Sequence, residues 1–223
     1  MGAWDKRILL ASGIVGPPLF VAVFLREGAA RADYDPRRFP VSSLALGGRG
    51  WVQSANFLLI GAAVGALARG MPPAPGLAAG GPAWERRLLA LAGIGFVGAG
   101  VFATDPVFGY PPEAPLALEQ FTARGHLHNL FSLLVFAGIP GAGLVVARHF
   151  ARAGRPWSAA YALLTALGML ATFVIAGVGF SQEPHLVRSA GLWQRLSIVI
   201  GLAWVASRAA QSLRAPNRGA AID

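Results

Sequence analysis

The chain has 223 residues, of which 55% are hydrophobic and only 13% charged, about half the charged share of a soluble domain. A mean hydropathy of +0.54 excludes an ordinary water-soluble surface. The net charge of +9 does not describe a nucleic-acid binder, because the arginines punctuate apolar runs and do not gather on one soluble face. Cysteine is absent, which excludes disulfides and thiolate metal sites. Lys6 is the only lysine beside eighteen arginines, a bias of GC-rich coding that points to a bacterial source.

A hydrocarbon core of ~30 Å needs roughly 20 apolar residues in a helix, so the gaps between charges locate the spans. They fall at about 8–25, 51–68, 88–104, 127–147, 157–181 and 190–207, the last broken once by Arg195. None alternates as a barrel strand does, and each is about twice the length such a strand needs. The expected fold is all-α: a polytopic membrane protein, one domain of six transmembrane helices. The first span carries Gly16-Pro17-Pro18 and the fourth Pro140, where kinks are expected. Small residues recur in the third span (Gly93, Gly95, Gly98, Gly100) and the fourth (Gly138, Gly141), as close helix packing requires. Ala30-Arg31-Ala32 could pass for a signal-peptidase site. The preceding apolar run exceeds the usual signal length of about 7–15 residues, so the segment is expected to stay as a span. The stretch 71–82 reads as a flexible linker.

Basic residues in the loops orient the chain. With the N-terminus inside, eleven fall on the inner side and eight on the outer, so both termini are expected in the cytoplasm of a bacterial cell, the protein lying in the cytoplasmic (inner) membrane. The uncommon polar residues then collect on the outer side. Asp105, His126, His128, Glu183 and His185 belong there, with Gln53, Asn56 and Arg195 one or two turns into their helices. The first span and the inner loops are expected to contribute nothing comparable.

Gln53 and Asn56 are three apart and share a helix face. They are either interhelical glue or the wall of a pocket, since neither amide can face lipid alone. Arg195 needs a partner inside the bundle, and Asp105 is the natural candidate, as a structural lock or as a ligand clamp. His128 opens the fourth span. His126 lies about 200° away from it on a regular helix, so the two cannot chelate one ion unless the chain there is extended. No cofactor is expected: a zinc site drawing on His126, His128, His185 and Asp105 would have no matching motif.

Three blocks carry a resemblance. They are Pro40-Val-Ser-Ser-Leu-Ala-Leu-Gly47 followed by Trp51-Val-Gln-Ser-Ala-Asn-Phe57, then Phe102-Ala-Thr-Asp-Pro106 with Gly109-Tyr-Pro-Pro112, and Gly191-Leu-Trp-Gln-Arg195. Together they resemble a bacterial and archaeal family of small six-span membrane proteins classified as a domain of unknown function, over about residues 8–210. The resemblance implies that the family's acidic position is Asp105, its histidine His128, its late pair Gln194 and Arg195, and its serine Ser42 or Ser43. Two positions depart: Phe39 and Arg124 stand where many members have histidine, which removes two potential metal ligands.

Three functions are in contention. The first is a polar site at the outer leaflet that binds a lipid head group or a small amphiphile. If it is catalytic, His128 is the general base, Asp105 orients it, and Arg195, Gln53, Asn56, Gln194 and Ser43 surround the ligand. The second is a non-catalytic scaffold or partner subunit in which the same residues lock helices together. The third is a transporter, disfavoured by an apolar midplane and the lack of a repeat.

Overall fold

The computed structural model describes residues 3–71, 81–117 and 119–214. The linker expected at 71–82 lies, apart from its ends, outside the described residues. Six α-helices follow one another: α1 (Ala3–Ala29), α2 (Gly50–Gly70), α3 (Gly81–Val101), α4 (Ala123–Arg152), α5 (Pro156–Phe180) and α6 (Ala190–Arg214), with a short 3₁₀ helix at Val41–Ala45 between α1 and α2. Among the described residues there is no strand, only an isolated bridge between Val107 and Tyr110.

Five of the helices, all but α3, are long and apolar enough to cross a membrane, the architecture of a multi-pass membrane protein. α3 carries Glu85, Arg86 and Arg87 in its second turn and stops at Val101, short of the expected 104. Phe102 still closes a helical turn through its N–H to Gly98. Pro106 then disfavours helix at the residue before it, so Ala103–Asp105 leave the axis. α1, α2, α4 and α6 outrun the charge-free stretches at one or both ends, because arginine and glutamate are good helix formers, whereas α5 stays within its own. α1 and α4 run on through Pro17, Pro18 and Pro140 as single helices.

Each helix packs on its neighbours in the chain, and α6 closes the ring on α1. Glycines set the close approaches. A Cβ at Gly95 of α3 would stand 2.6 Å from the Phe131 carbonyl oxygen of α4, and one at Gly61 of α2 would stand 2.8 Å from the Gly93 carbonyl oxygen. Phe20 sits at the centre, its ring 5.5–5.6 Å from those of Phe24, Phe57 and Phe96. The outward faces carry exposed Ile8, Val15, Leu130, Leu133, Leu164 and Val174, the reverse of a soluble protein.

Three connections, 30–49, 102–122 and 181–189, meet at one end of the ring. Arg31 reaches Tyr110, the Leu192 N–H donates to the Arg37 carbonyl at 3.1 Å, and Phe108 stacks on Phe180. We call this the loop end. The opposite end, where α1 starts and α6 finishes, is the termini end.

Candidate functional site

The sequence-predicted residues do lie at or near the loop end, but they fall into separate clasps. Asp105 serves the start of α4. Its carboxylate accepts from the Thr122 N–H at 2.8 Å and from the Thr122 hydroxyl at 2.6 Å, while Thr122 Oγ1 accepts from the Gly125 N–H at 3.1 Å. Thr122 is thus the N-cap of α4 and Asp105 holds the cap, its negative charge at the positive end of the helix dipole. Gly125 leaves the space that the carboxylate fills; a Cβ there would overlap it. The Asp105–Arg195 ion pair expected from the sequence is not made.

His128 serves the end of α3. Its Nδ1 donates to the Phe102 carbonyl at 2.7 Å, satisfying a carbonyl that a helix C-terminus leaves without an intrahelical partner. Since a carbonyl only accepts, Nδ1 carries the proton. Asp105 does not orient the ring, contrary to the catalytic arrangement considered above. Asp105 and His128 act as a reciprocal staple: the α3 side secures the first turn of α4, and α4 secures the last turn of α3.

Arg195 and Gln194 serve the first loop. Arg195 is 6% exposed. Its Nη1 donates to the carbonyls of Phe39 at 2.9 Å and Gly191 at 3.0 Å, and its Nη2 donates to the Tyr34 hydroxyl. Gln194 Oε1 accepts from the Val41 N–H at 2.8 Å, where the 3₁₀ helix begins. Gly191 lets the loop lie flat on α6, since a Cβ there would meet the Phe39 and Pro36 carbonyl oxygens at 2.6 and 2.7 Å. Tyr34, Phe39 and Tyr110 pack ring against ring at 5.2–5.8 Å, joining the two long loops. Burial pushes the Tyr34 phenol up to about 12, against the opposing pull of Arg195.

Gln53 and Asn56 share the inward face of α2. Asn56 Nδ2 donates to the Phe20 carbonyl at 3.1 Å and to Gln53 Oε1 at 3.3 Å, which ties α2 to α1. Ser43 is fully buried. Ser43 Oγ, Gln53 Nε2 and Arg195 Nε are buried without a hydrogen-bond partner.

Sequence reasoning missed a fourth clasp, contributed largely by α1, the helix expected to offer nothing. Glu27 is 0% exposed. Arg49 grips it with two bonds, Nη2 to Oε1 at 2.7 Å and Nε to Oε2 at 3.2 Å. Arg31 Nη2 stands 3.7 Å from Oε2, and Arg26 Nη1 3.5 Å from Oε1. Arg31 also donates to the Leu44 carbonyl at 2.8 Å, the Leu46 carbonyl at 3.0 Å and the Tyr110 hydroxyl at 3.2 Å. The Glu27/Arg31 spacing of four at the end of a span was the available signal, and Thr122 before α4 had the signature of a cap. The Tyr34–Arg195 contact, between residues 161 positions apart, left no local trace.

Among the described residues no three histidine, aspartate or glutamate side chains gather as ligands. His126 and His128 both lie in regular α4, and His126 and His185 are exposed; the His126 ring meets Phe121 edge-on.

No curated protein and no solved structure matches the chain. Residues 14–211 match the family model described as protein of unknown function (DUF998), and the chain belongs to that family.

Proposed function

We propose that the protein is a six-span protein of the bacterial cytoplasmic membrane, both termini cytoplasmic, that serves as a non-catalytic scaffold or partner subunit. One observation carries this reading: Asp105, His128 and Arg195 spend their hydrogen bonds on separate sets of structural partners, and no hydrogen bond or ion pair joins any two of them. A general base needs a reactant within reach and a partner that orients it; the His128 ring is held by a helix-end carbonyl and is 2% exposed. α3 is read as the sixth span because it packs along both α2 and α4. Its charge-free part, 88–101, is about 21 Å long, and Arg86 and Arg87 are exposed at its start, Arg87 over the Trp84 ring at 5.2 Å, where long side chains reach the interface.

Asp105→Ala separates the readings. As a clasp, Asp105 accepts two hydrogen bonds at a charged carboxylate, and its loss is expected to cost about 2 kcal/mol. This should appear as a lower melting temperature in detergent, with the lipids retained by the purified protein unchanged in native mass spectrometry. Loss of a bound lipid or amphiphile at unchanged stability would support the second reading. That reading is a polar site for a lipid head group or small amphiphile, and the unpartnered Ser43 Oγ, Gln53 Nε2 and Arg195 Nε favour it.

Topology has its own test, made simple by a chain without cysteine. A single cysteine at Glu119 on the loop end should react with an impermeant maleimide in intact cells, and one at Arg152 on the termini end only after permeabilisation. The opposite pattern would invert the orientation.

A further inference from the structure

The two ends of the ring differ in exposed charge. At the termini end the described residues include eight exposed arginines, at least one on or next to every helix, against one exposed carboxylate, Asp5. The other carboxylate there, Glu85, is buried and spent on Arg208. At the loop end five exposed arginines stand among four exposed carboxylates. We infer that the rim of the termini end is an interaction surface for anionic glycerophospholipids, whose head groups gather around it in the surrounding leaflet. The inference rests on the six-span reading above and adds the class of lipid and the end that selects it.

Helix electrostatics accounts for only half of these arginines. α2, α4 and α6 finish at the termini end, and Arg69, Arg152 and Arg214 lie in their last turns, where the negative end of the dipole favours a cation; Arg148 is one turn earlier in α4. α1, α3 and α5 start at the same end, where the dipole favours acids. Yet α3 and α5 have no acid in their first turns, and Arg155 is the N-cap residue of α5. Arg86 and Arg87 follow within two turns of the start of α3, and Arg7 within two turns of the start of α1. Cations placed at the unfavourable ends of three helices are best offset by anions from outside the chain.

Tryptophans favour a lipid as the source of those anions over an acidic protein. Trp4, Trp84 and Trp157 are 79%, 53% and 87% exposed, and each stands in the first turn of its helix, α1, α3 and α5. The ring follows chain order and closes from α6 to α1, so these alternate helices space the three indoles around the perimeter. Indoles at span ends sit at the level of the head groups, and the exposed arginines share that level. Below them the outward faces are apolar, as acyl chains require. Basic side chains beside a membrane surface attract anionic lipid over a range set by the screening length.

The test is native mass spectrometry of the delipidated full chain in detergent, titrated with phosphatidylglycerol and with phosphatidylcholine in low and in high ammonium acetate. At low salt phosphatidylglycerol is expected to bind about fivefold more tightly, the worth of one basic residue beside the head group. Several molecules should add in succession, and high salt should erase the preference. Combining Arg86→Gln, Arg148→Gln and Arg152→Gln, all exposed, should lower the preference about twofold without moving the melting temperature. The matching set at the loop end, Arg37→Gln, Arg124→Gln and Arg188→Gln, should leave it unchanged. Equal affinity for the two lipids, as a surface built for an acidic protein would give, overturns the inference; so does a preference that survives high salt, or one that falls equally in both sets. Retention in vesicles through an alkaline wash tests the six-span reading separately: a chain that washes off fails that reading, and one that stays but prefers neither lipid fails only this inference.

Discussion

Arg195→Ala is expected to destabilise the protein by about 3 kcal/mol, one of the two largest effects of any polar substitution at the loop end. The guanidinium reaches two backbone carbonyls and a tyrosine hydroxyl, and it lies 5.5 Å from the centre of the Tyr34 ring and 5.9 Å from that of Phe24. Truncation leaves the Phe39 carbonyl and the Tyr34 hydroxyl short of a charged donor inside the fold, and opens a void where the side chain packed. The first loop should then detach while the ring of helices persists. Thermal unfolding in detergent would show the loss. Limited proteolysis with trypsin should cut within 34–40, at Arg37 or Arg38 of the freed segment. Arg195→Lys should recover little, because an ammonium cannot reproduce the planar fork. A lysine variant as stable as the parent would remove the basis for the clasp.

Glu27→Ala should cost a comparable amount, about 3 kcal/mol, the lower end of what breaking a buried ion pair costs. The lower end applies because the carboxylate is covered mainly by its own arginines at the end of the bundle, close to water. Alanine there leaves Arg31 and Arg49 facing each other across the gap. Arg31 is the more consequential loser: its side chain is only 10% exposed, and its carbonyl contacts at Leu44 and Leu46 hold the turn after the 3₁₀ helix. Glu27→Gln should fall between the two, since an amide oxygen still accepts from Arg49 but carries no charge. Melting curves of the three proteins at low and high salt would check this, with the gap between parent and Gln variant narrowing as salt screens the pair. Equal stability of all three would show that the arginines find other partners.

The residues of the loop end were legible as a set and not as an arrangement. Asp105, His128, Gln194, Arg195, Gln53 and Asn56 stand out because polar groups near the end of an apolar run are costly unless partnered. What the partners would be could not be read the same way. Asp105 and Arg195 invited pairing by charge alone, yet Asp105 takes a neighbouring helix cap and Arg195 takes loop carbonyls. Backbone groups are the commonest partners of side chains and leave no mark in the residue pattern. An acidic residue at a span end such as Glu27 looks like solvated interface in sequence, and only the return of the loop brings Arg49 over it.

The sequence by itself determined the helices. Their number, order and approximate limits follow from apolar length between charges, which is local. It also marked which residues could not be left to lipid. Only the tertiary structure decided that α6 closes on α1, that the polar residues divide into separate clasps instead of meeting in one site, and that α1 supplies a buried carboxylate. Those outcomes depend on which helix ends and loops are brought side by side, across 17 residues for Asp105 and Thr122 and 161 for Tyr34 and Arg195. Hydropathy sets the length of a span but is blind to which neighbour it will meet.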